Sequence, residues 1–403
     1  MLLPHSCVDL NVPIRSARLL ALLLTAALVP AASSSAAVIH GPFTARAAGF
    51  FPNDSGTTAR AAAGGWSKVQ WDLTGPFGIR APQAWDLARA AGGDGGKGVI
   101  VGLLDSGVAY ADRGPFRKSP DLPQARIIPG RDFVDNDNYP NDENGHGTFV
   151  ASEIAAAANN AYGMVGVAYR ATILAVRVLD RDGNSSSERV ARGIRYAVDH
   201  GAQVLNISIE LVDDSNRPVS LTAAPEIRSA LRYARDHRVT VVAASGNSSS
   251  STVPAKLGSS LLIQVGGTSE HGCIADYSNY GPGVTLVAPG GGEDSVLNDD
   301  PLCTPEISGR PIVQTTFRES HPARFIVPGD YEGTSMAAPH VAGVIALMLA
   351  AHTLGISPTP QAITQRLVST ARDLGAPGPD RRYAAGLLDA ARALGGPPPA
   401  ATP

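Results

Sequence analysis

Three side chains of this sequence, Asp105, His146 and Ser335, are of the types that perform nucleophilic catalysis. Ser335 precedes an apolar run, 341–351, that predicts a buried helix, and the N-terminal end of a helix favours nearby negative charge. A serine hydroxyl is a weak nucleophile until a base removes its proton, and His146, with glycine on both sides, is the candidate base. Taken alone, each residue has a structural explanation: a helix-capping serine, a surface histidine and a turn aspartate.

Two of the polar candidates follow predicted strands. Asp105 comes directly after the apolar run 99–104, and Asn247 follows the run 239–244 within a short turn. A carboxylate at a strand end is well placed to orient an imidazole, and the N–H donors of an asparagine amide can bind an oxyanion.

Apolar runs alternate with helical patterns from residue 71 onward. The predicted strands are 99–104, 172–178, 204–208, 239–244, 261–265 and 284–287, and the predicted helices are 82–91, 146–158, 187–200, 223–236, 334–352, 360–371 and 383–394. Continuous apolar strands between helices indicate an α/β fold of three layers, α/β/α, with a mostly parallel sheet buried on both faces. In such sheets ligands bind at the carboxyl ends of the strands.

The length alone allows one large domain or two, and the nearly balanced charge gives no sign of a nucleic-acid or membrane-surface partner. The chain has 403 residues, with 33 Lys and Arg against 36 Asp and Glu. We expect a signal peptide at 1–37, an amino-terminal arm or linker at 38–70, the main domain at 71–394 and a disordered tail at 395–403.

The amino-terminal region is typical of an export signal. Arg15 and Arg18 precede an apolar run, 19–32, and small residues follow as a cleavage site. The alternative is an uncleaved anchor. Cleavage would remove Cys7 and leave Cys273 and Cys303, which in an oxidising compartment form either a disulfide or two free buried thiols.

Four motifs together resemble the subtilisin-like (S8) family of serine endopeptidases, in its thermitase-like branch. They are Asp105-Ser106-Gly107, His146-Gly147-Thr148, Gly246-Asn247 and Gly333-Thr334-Ser335-Met336-Ala337-Ala338-Pro339-His340. The chain order Asp, His, Ser is that of subtilisin. The resemblance implies a secreted, monomeric peptidase acting on proteins or peptides, with no membrane attachment after signal cleavage.

The resemblance also implies catalytic roles. Ser335 would be the nucleophile, His146 the base and Asp105 the group that orients the imidazole. The backbone N–H of Ser335 and the side chain of Asn247 would bind the oxyanion.

The resemblance further implies how a peptide binds. Two strand segments would hold it by main-chain pairing, and a third would form the wall of the pocket for the side chain before the cut. They are Gly183, Asn184 and Ser185; Ser208, Ile209 and Glu210; and Ala244, Ser245 and Gly246. Glu210 stands where relatives usually carry glycine, so it either favours basic residues at that subsite or points to solvent.

Calcium is the implied cofactor, at one or two structural sites. The first set, in an acidic loop, is Asp132, Asp135, Asp137 and Asn141, for which the alternative is a solvated acidic turn. The second set is Asp54, Asp121 and Asn160 with the carbonyls of Ala157, Tyr162 and Met164. A calcium ion there would attach the arm to the main domain.

Some features depart from the family pattern. Phe149 and Ser152-Glu153 replace the usual residues on the helix that follows His146. Residues 38–70 are too short for the folded inhibitory pro-domain of the family, so we expect the arm to take its place or calcium and a disulfide to support folding. Two rival functions share the fold: a peptide-binding protein without catalysis, which would be expected to lose one of the four motif residues, and an esterase using the same triad.

Overall fold

The computed structural model describes residues 9–11, 49–59, 64–212, 223–251, 261–295, 303 and 307–399. The predicted export signal therefore lies outside the described residues except for 9–11. Within the described part, no helix is long and apolar enough to cross a membrane.

Seven parallel strands form the central sheet: β2 (Ile100–Asp105), β3 (Ile127–Asp132), β4 (Thr172–Arg177), β5 (Val204–Ile207), β7 (Thr240–Ala244), β8 (Ile263–Thr268) and β9 (Leu286–Pro289). Across the sheet they lie in the order β3-β4-β2-β5-β7-β8-β9. Most strand residues are buried, as helices on both faces of the sheet require. The predicted α/β architecture with a buried parallel sheet is confirmed.

Helices cover the two faces of the sheet as separate apolar layers. The longer ones are α3 (Ala81–Ala90), α4 (His146–Ala155), α5 (Ser187–Asp199), α6 (Pro225–Asp236), α7 (Thr334–Ala350) and α8 (Pro360–Thr370). Helices α3, α4 and α7 pack in one core, and α5 and α6 pack in the other. Three single-turn helices complete the set: α1 (Trp66–Val69), α2 (Trp71–Thr74) and α9 (Ala390–Ala393).

Helix α7 is the element on which the site depends. It is apolar on all sides, and it is buried from Thr334 to Met348 between α4 and the sheet. Pro339 lies inside this helix and has no N–H to donate to the carbonyl of Ser335, four residues earlier. That carbonyl instead accepts a hydrogen bond of 2.8 Å from the hydroxyl of Ser208. The proline therefore leaves the carbonyl of Ser335 free to bind the segment after β5.

Two features differ from the sequence-based expectations. Strand β3 was not expected, because its Pro129-Gly130 pair and partly exposed residues do not form an apolar run. The predicted helix 383–394 is wrong: only α9 is helical, because Ala384 and Gly386 adopt positive φ angles of 53° and 108°.

Short strands and a disulfide complete the fold. Strand β1 (Asp9–Asn11) pairs in parallel with β6 (Glu210–Val212), and β10 (Thr316–Phe317) pairs with β11 (Phe325–Ile326). Cys273 and Cys303 form a disulfide, so the alternative of two free thiols is excluded in this structure.

Candidate active site

Asp105 and His146 meet at the carboxyl end of β2. Asp105 Oδ1 lies 2.8 Å from His146 Nδ1, and both side chains are buried. Gly147 permits this approach, because a Cβ there would lie 2.1 Å from the carbonyl oxygen of Gly107. A carboxylate at Nδ1 stabilises the tautomer that carries its proton on that nitrogen. Nε2 is then an acceptor, and it has no hydrogen-bond partner among the described residues.

The electrostatics of this pair favour a basic imidazole. Burial lowers the pKa of His146, but the charge and hydrogen bond of Asp105 outweigh burial, so the pKa lies above its ordinary value of 6.5. The imidazolium formed by proton uptake is therefore stabilised where it is generated.

Asp142 holds the two segments together, and the sequence analysis gave it no such role. Its Oδ1 accepts hydrogen bonds from the hydroxyl of Ser106 and the backbone N–H of Gly145, both at 2.9 Å. Its Oδ2 accepts from the backbone N–H and hydroxyl of Thr148 at 2.8 and 2.6 Å. One buried carboxylate thus fixes both the turn after Asp105 and the first turn of α4. The sequence signal that could have indicated this role is its position four residues before His146.

Ser335 lies in the first turn of α7, near the positive end of the helix dipole. Its hydroxyl donates to the carbonyl of Ser208 at 3.3 Å, and no hydrogen bond joins it to His146 in the described part of the chain. Hydrogen bonds between catalytic groups are often long or misaligned before substrate binds.

Asn247 presents its amide beside the turn that contains Ser335. Its Oδ1 accepts from the backbone N–H and the hydroxyl of Thr334, at 2.9 and 2.8 Å. A Cβ on Gly333 would lie 3.1 Å from Asn247 Nδ2, so the amide nitrogen lies against the residue that begins this turn. Both lone-pair directions of Oδ1 are used, which leaves Nδ2 as the end that can donate to a ligand.

The predicted peptide-binding segments are ordered by their own hydrogen bonds. Asn184 donates its backbone N–H to Asp180 Oδ1 at 2.8 Å, which fixes the loop that also contains Gly183 and Ser185. Ser245 donates its hydroxyl to the carbonyl of Asn279 at 3.1 Å. Ser208, Ile209, Ala244 and Gly246 are buried along the neighbouring strand ends.

Glu210 does not point to solvent, so that alternative is excluded. Its side chain is buried, and its Oε2 accepts from the backbone N–H of Asn247 at 2.9 Å. It therefore lies beside Asn247, the residue predicted to bind an oxyanion.

A buried ionic group connects α4 to α7. His340 Nε2 lies 3.1 Å from Asp72 Oδ2, and Nδ1 lies 2.5 Å from Glu153 Oε1. Burial lowers the pKa of His340, but the two carboxylates outweigh burial and raise it to about 10. Glu153, which departs from the family pattern, therefore lies against a protonated histidine that balances its charge.

The second set of predicted calcium ligands, Asp54 of the arm with Asp121 and Asn160 of the main domain, is brought together. Asp54 and Asp121 are both fully buried. Asp54 accepts from the backbone N–H of Asn159 and Asn160, and Asn160 Nδ2 donates to Asp121 Oδ1 at 2.8 Å. Burial raises the pKa of Asp121 to about 7, and the charge of Asp54 adds to the effect. A hard cation would stabilise both carboxylates in their anionic forms.

An arginine at the end of β4 pairs with carboxylates of the acidic loop. The buried guanidinium of Arg177 lies 2.8 Å from Asp132 Oδ2, 2.7 Å from Asp135 Oδ2 and 2.8 Å from Glu143 Oε2. Asp137 Oδ1 accepts from the backbone N–H of Tyr139, and the buried Oδ1 of Asn141 has no partner among the described residues. A calcium ion at Asp132 and Asp135 would compete with this guanidinium.

The charged and soft metal-ligating side chains do not by themselves form a metal site among the described residues. No three His, Cys, Asp or Glu side chains there converge as a metal site. Calcium also uses amide and carbonyl oxygens, so the pair Asp54 and Asp121 with Asn160 fits a calcium ion if the amide turns its oxygen inward.

Comparison with known proteins decides the family. The model of the subtilase family matches residues 96–386. The chain belongs to the subtilase family. This range contains Asp105, His146, Asn247 and Ser335, and the predicted resemblance to subtilisin-like (S8) serine proteases is confirmed.

Two curated relatives each match about two thirds of this chain. Thermitase of Thermoactinomyces vulgaris is 35% identical over 275 residues, which is 68% of this chain and 81% of that protein. A thermophilic serine proteinase of Bacillus sp. strain AK1 is 36% identical over 274 residues, covering 68% of this chain and 56% of that protein. The chain thus matches little more than half the length of the second relative.

The fold is also shared with solved structures. A protease from Pseudoalteromonas arctica PAMC 21717 superposes with a TM-score of 0.66 at 29% identity, over 86% of this chain and 99% of that chain. A cold-adapted subtilisin-like serine proteinase superposes with a TM-score of 0.54 at 26% identity, over 73% of this chain and 89% of that chain.

Proposed function

We propose that this subtilase is a secreted, monomeric serine endopeptidase that hydrolyses peptide bonds of proteins through Asp105, His146 and Ser335. The observation that carries the proposal is the buried pair Asp105–His146, 2.8 Å apart, with Nε2 left as an acceptor. An imidazole held in this tautomer is suited to take a proton from a serine hydroxyl.

The acylation step begins when Ser335 Oγ attacks the scissile carbonyl. His146 Nε2 takes the hydroxyl proton as the new C–O bond forms, and Asp105 stabilises the imidazolium. The imidazolium then gives the proton to the leaving amine as the C–N bond breaks. Water repeats the sequence on the acyl-enzyme and releases the acid with Ser335 restored.

The oxyanion of the tetrahedral intermediate would be bound by the backbone N–H of Ser335 and by Asn247 Nδ2. Support comes from the two hydrogen bonds of Thr334 to Asn247 Oδ1, which hold the amide with its nitrogen directed away from Thr334. Donors fixed before reaction cost no reorganisation when the charge develops.

An extended substrate would pair with the segments 183–185 and 208–210. The parallel pairing of β1 with β6 supports this, because it shows that the edge at Glu210–Val212 accepts an extended chain. Edge pairing binds main chain of any sequence, so a protease that uses it gains selectivity from side-chain pockets.

Calcium would serve as a structural cofactor at Asp54, Asp121 and Asn160. The ion would supply positive charge between two buried carboxylates and would hold the arm on the domain. Gly56 and Gly163 already join the two parts by a backbone hydrogen bond of 2.8 Å. The acidic loop at Asp132 stays a prediction, with Arg177 as the competing cation.

Casein hydrolysis tests the function. The purified protein should hydrolyse casein, a sulfonyl fluoride should block the activity, and Ser335→Ala should abolish it. Hydrolysis of simple esters but not of casein would favour the esterase. Binding of peptides without their hydrolysis would favour the binding protein. Export is tested separately, by the mature amino terminus of the protein recovered from culture medium.

A further inference from the structure

Glu210 joins two segments that follow neighbouring strands. It begins β6, shortly after β5, whereas Asn247 follows β7, which pairs with β5 in the central sheet. Glu210 is buried, and its Oε2 accepts from the backbone N–H of Asn247 at 2.9 Å. Its Oε1 accepts from the hydroxyl of Ser248 at 3.1 Å. The carboxylate therefore binds both the residue that carries the proposed oxyanion donor and the residue that follows it.

Asn279 holds the same turn through further contacts. It is fully buried, and its Nδ2 donates to Glu210 Oε1 at 2.9 Å and to the carbonyl of Ser245 at 3.0 Å. Its Oδ1 accepts from the backbone N–H of Ser248 at 3.1 Å. Groups on both sides of Asn247 are thus bonded to one buried amide, which is itself bonded to Glu210.

The main chain of this turn lies directly against the carboxylate. A Cβ on Gly246 would lie 2.2 Å from Glu210 Oε1 and 2.4 Å from Asn279 Nδ2. Gly246 also has a φ angle of 101°, in the region that favours glycine. Removal of the carboxylate would leave space beside the turn, and the backbone N–H of Asn247 would lose its acceptor.

We infer that Glu210 is a positioning residue for catalysis, which fixes the backbone of Asn247 so that Nδ2 stays directed at the oxyanion. The inference rests on the proposed peptidase function and adds a residue to it. Thr334 holds the amide at Oδ1, and Glu210 holds the backbone to which that amide is attached. A donor fixed at both points needs no reorganisation when charge develops.

The negative charge of Glu210 acts against this role, which makes the sign of its effect informative. An anion near the oxyanion destabilises it, whereas hydrogen bonds that fix the donor lower the barrier. The donors on Asn247, Ser248 and Asn279 offset the charge of the carboxylate. Fixation of Asn247 is therefore the effect that should dominate.

Glu210→Gln tests the inference at nearly constant side-chain size. An amide has one oxygen, so it cannot accept from both Asn247 and Asn279 as the carboxylate does. We expect kcat on a peptide substrate to fall about tenfold, with KM changed by less than about twofold. Glu270→Gln is the matched control, since it removes a carboxylate that pairs with the exposed Arg310, and it should keep both constants.

The same substitution in Asn247→Ala separates positioning from general support of the fold. With the amide absent, Glu210→Gln should change kcat by less than about twofold. A residue that only stabilised the structure would lower kcat by the same factor in both backgrounds. Each kcat is divided by the fraction of Ser335 that a sulfonyl fluoride labels, so unfolded protein does not enter the comparison. Ser248→Ala, which removes a single contact of Oε1, is the milder variant and should lower kcat by a smaller factor.

Two outcomes overturn the inference. One is a kcat that rises or stays unchanged in Glu210→Gln, because repulsion of the oxyanion would then prevail or the contact would be irrelevant to the reaction. The other is an equal loss with and without the Asn247 side chain. In both cases the unmodified protein still hydrolyses casein, whereas failure of the peptidase function would remove casein hydrolysis from the unmodified protein itself.

Discussion

The hydroxyl of Thr334 donates to Asn247 Oδ1 at 2.8 Å and accepts from the backbone N–H of Gly246 at 3.1 Å. Thr334, which precedes the proposed nucleophile Ser335, therefore orients the amide proposed to bind the oxyanion. This relationship couples the turn that ends β7 to the first turn of α7.

Replacing that hydroxyl should slow the reaction more than it weakens substrate binding. In Thr334→Val we expect kcat to fall about tenfold with KM nearly unchanged, because one orienting hydrogen bond is lost. Asn247→Ala should lose about 10²- to 10³-fold in kcat, as expected for an oxyanion donor. Thr334→Ser should restore most of the rate. A KM change without a kcat change in Thr334→Val would contradict the orienting role.

The acid limb of the pH–rate profile should lie above pH 6.5. Burial lowers the pKa of His146, but Asp105 raises it further, to a net value above the ordinary 6.5. Only neutral imidazole can take the serine proton, so kcat/KM falls as the pH drops through this raised pKa. In Asp105→Asn the midpoint should move to lower pH, and kcat should fall by about 10⁴-fold. An acid limb below pH 6 in the unmodified protein would contradict this account.

Calcium removal should lower thermal stability through the site at Asp121. If calcium is present at about 100 times its Kd, it stabilises the fold by about 2.7 kcal/mol, so EDTA should lower the Tm. Asp121→Asn should abolish the response to added calcium. Asp182→Asn, on an exposed loop, is the matched control and should keep that response. An EDTA-treated protein with an unchanged melting curve would exclude a stabilising calcium ion.

Arg177 should matter for stability far more than other arginines that form ion pairs. Its guanidinium is 3% exposed and contacts three carboxylates, so Arg177→Met leaves buried negative charge without its partner. We expect a loss of about 3–5 kcal/mol in the free energy of unfolding, measured with urea. Arg181→Met removes the exposed pair with Glu319 and should cost about 1 kcal/mol or less. Equal effects of the two substitutions would show that the loop does not depend on Arg177.

The α/β class and the family were predictable because each depends on local patterns. Apolar runs of strand length alternate with helical ones, and the motifs around Asp105, His146 and Ser335 are short and specific. Strand β3 was not predictable this way, since pairing with β4 at the sheet edge allows exposed and irregular residues. The region 383–394 looked helical because propensity is local, while two positive φ angles there are set by packing.

By itself, the sequence determined which residue types were available for chemistry and the order in which they occur. Only the tertiary structure decided their partners. Glu210 could have pointed to solvent, yet donors from Asn247 and Asn279, 37 and 69 residues away, hold its carboxylate in the interior. Likewise, four acidic-loop residues resembled a calcium site, but Arg177 on a neighbouring strand end already binds two of them. Contacts between residues distant in sequence depend on how the whole chain packs, and local patterns do not encode them.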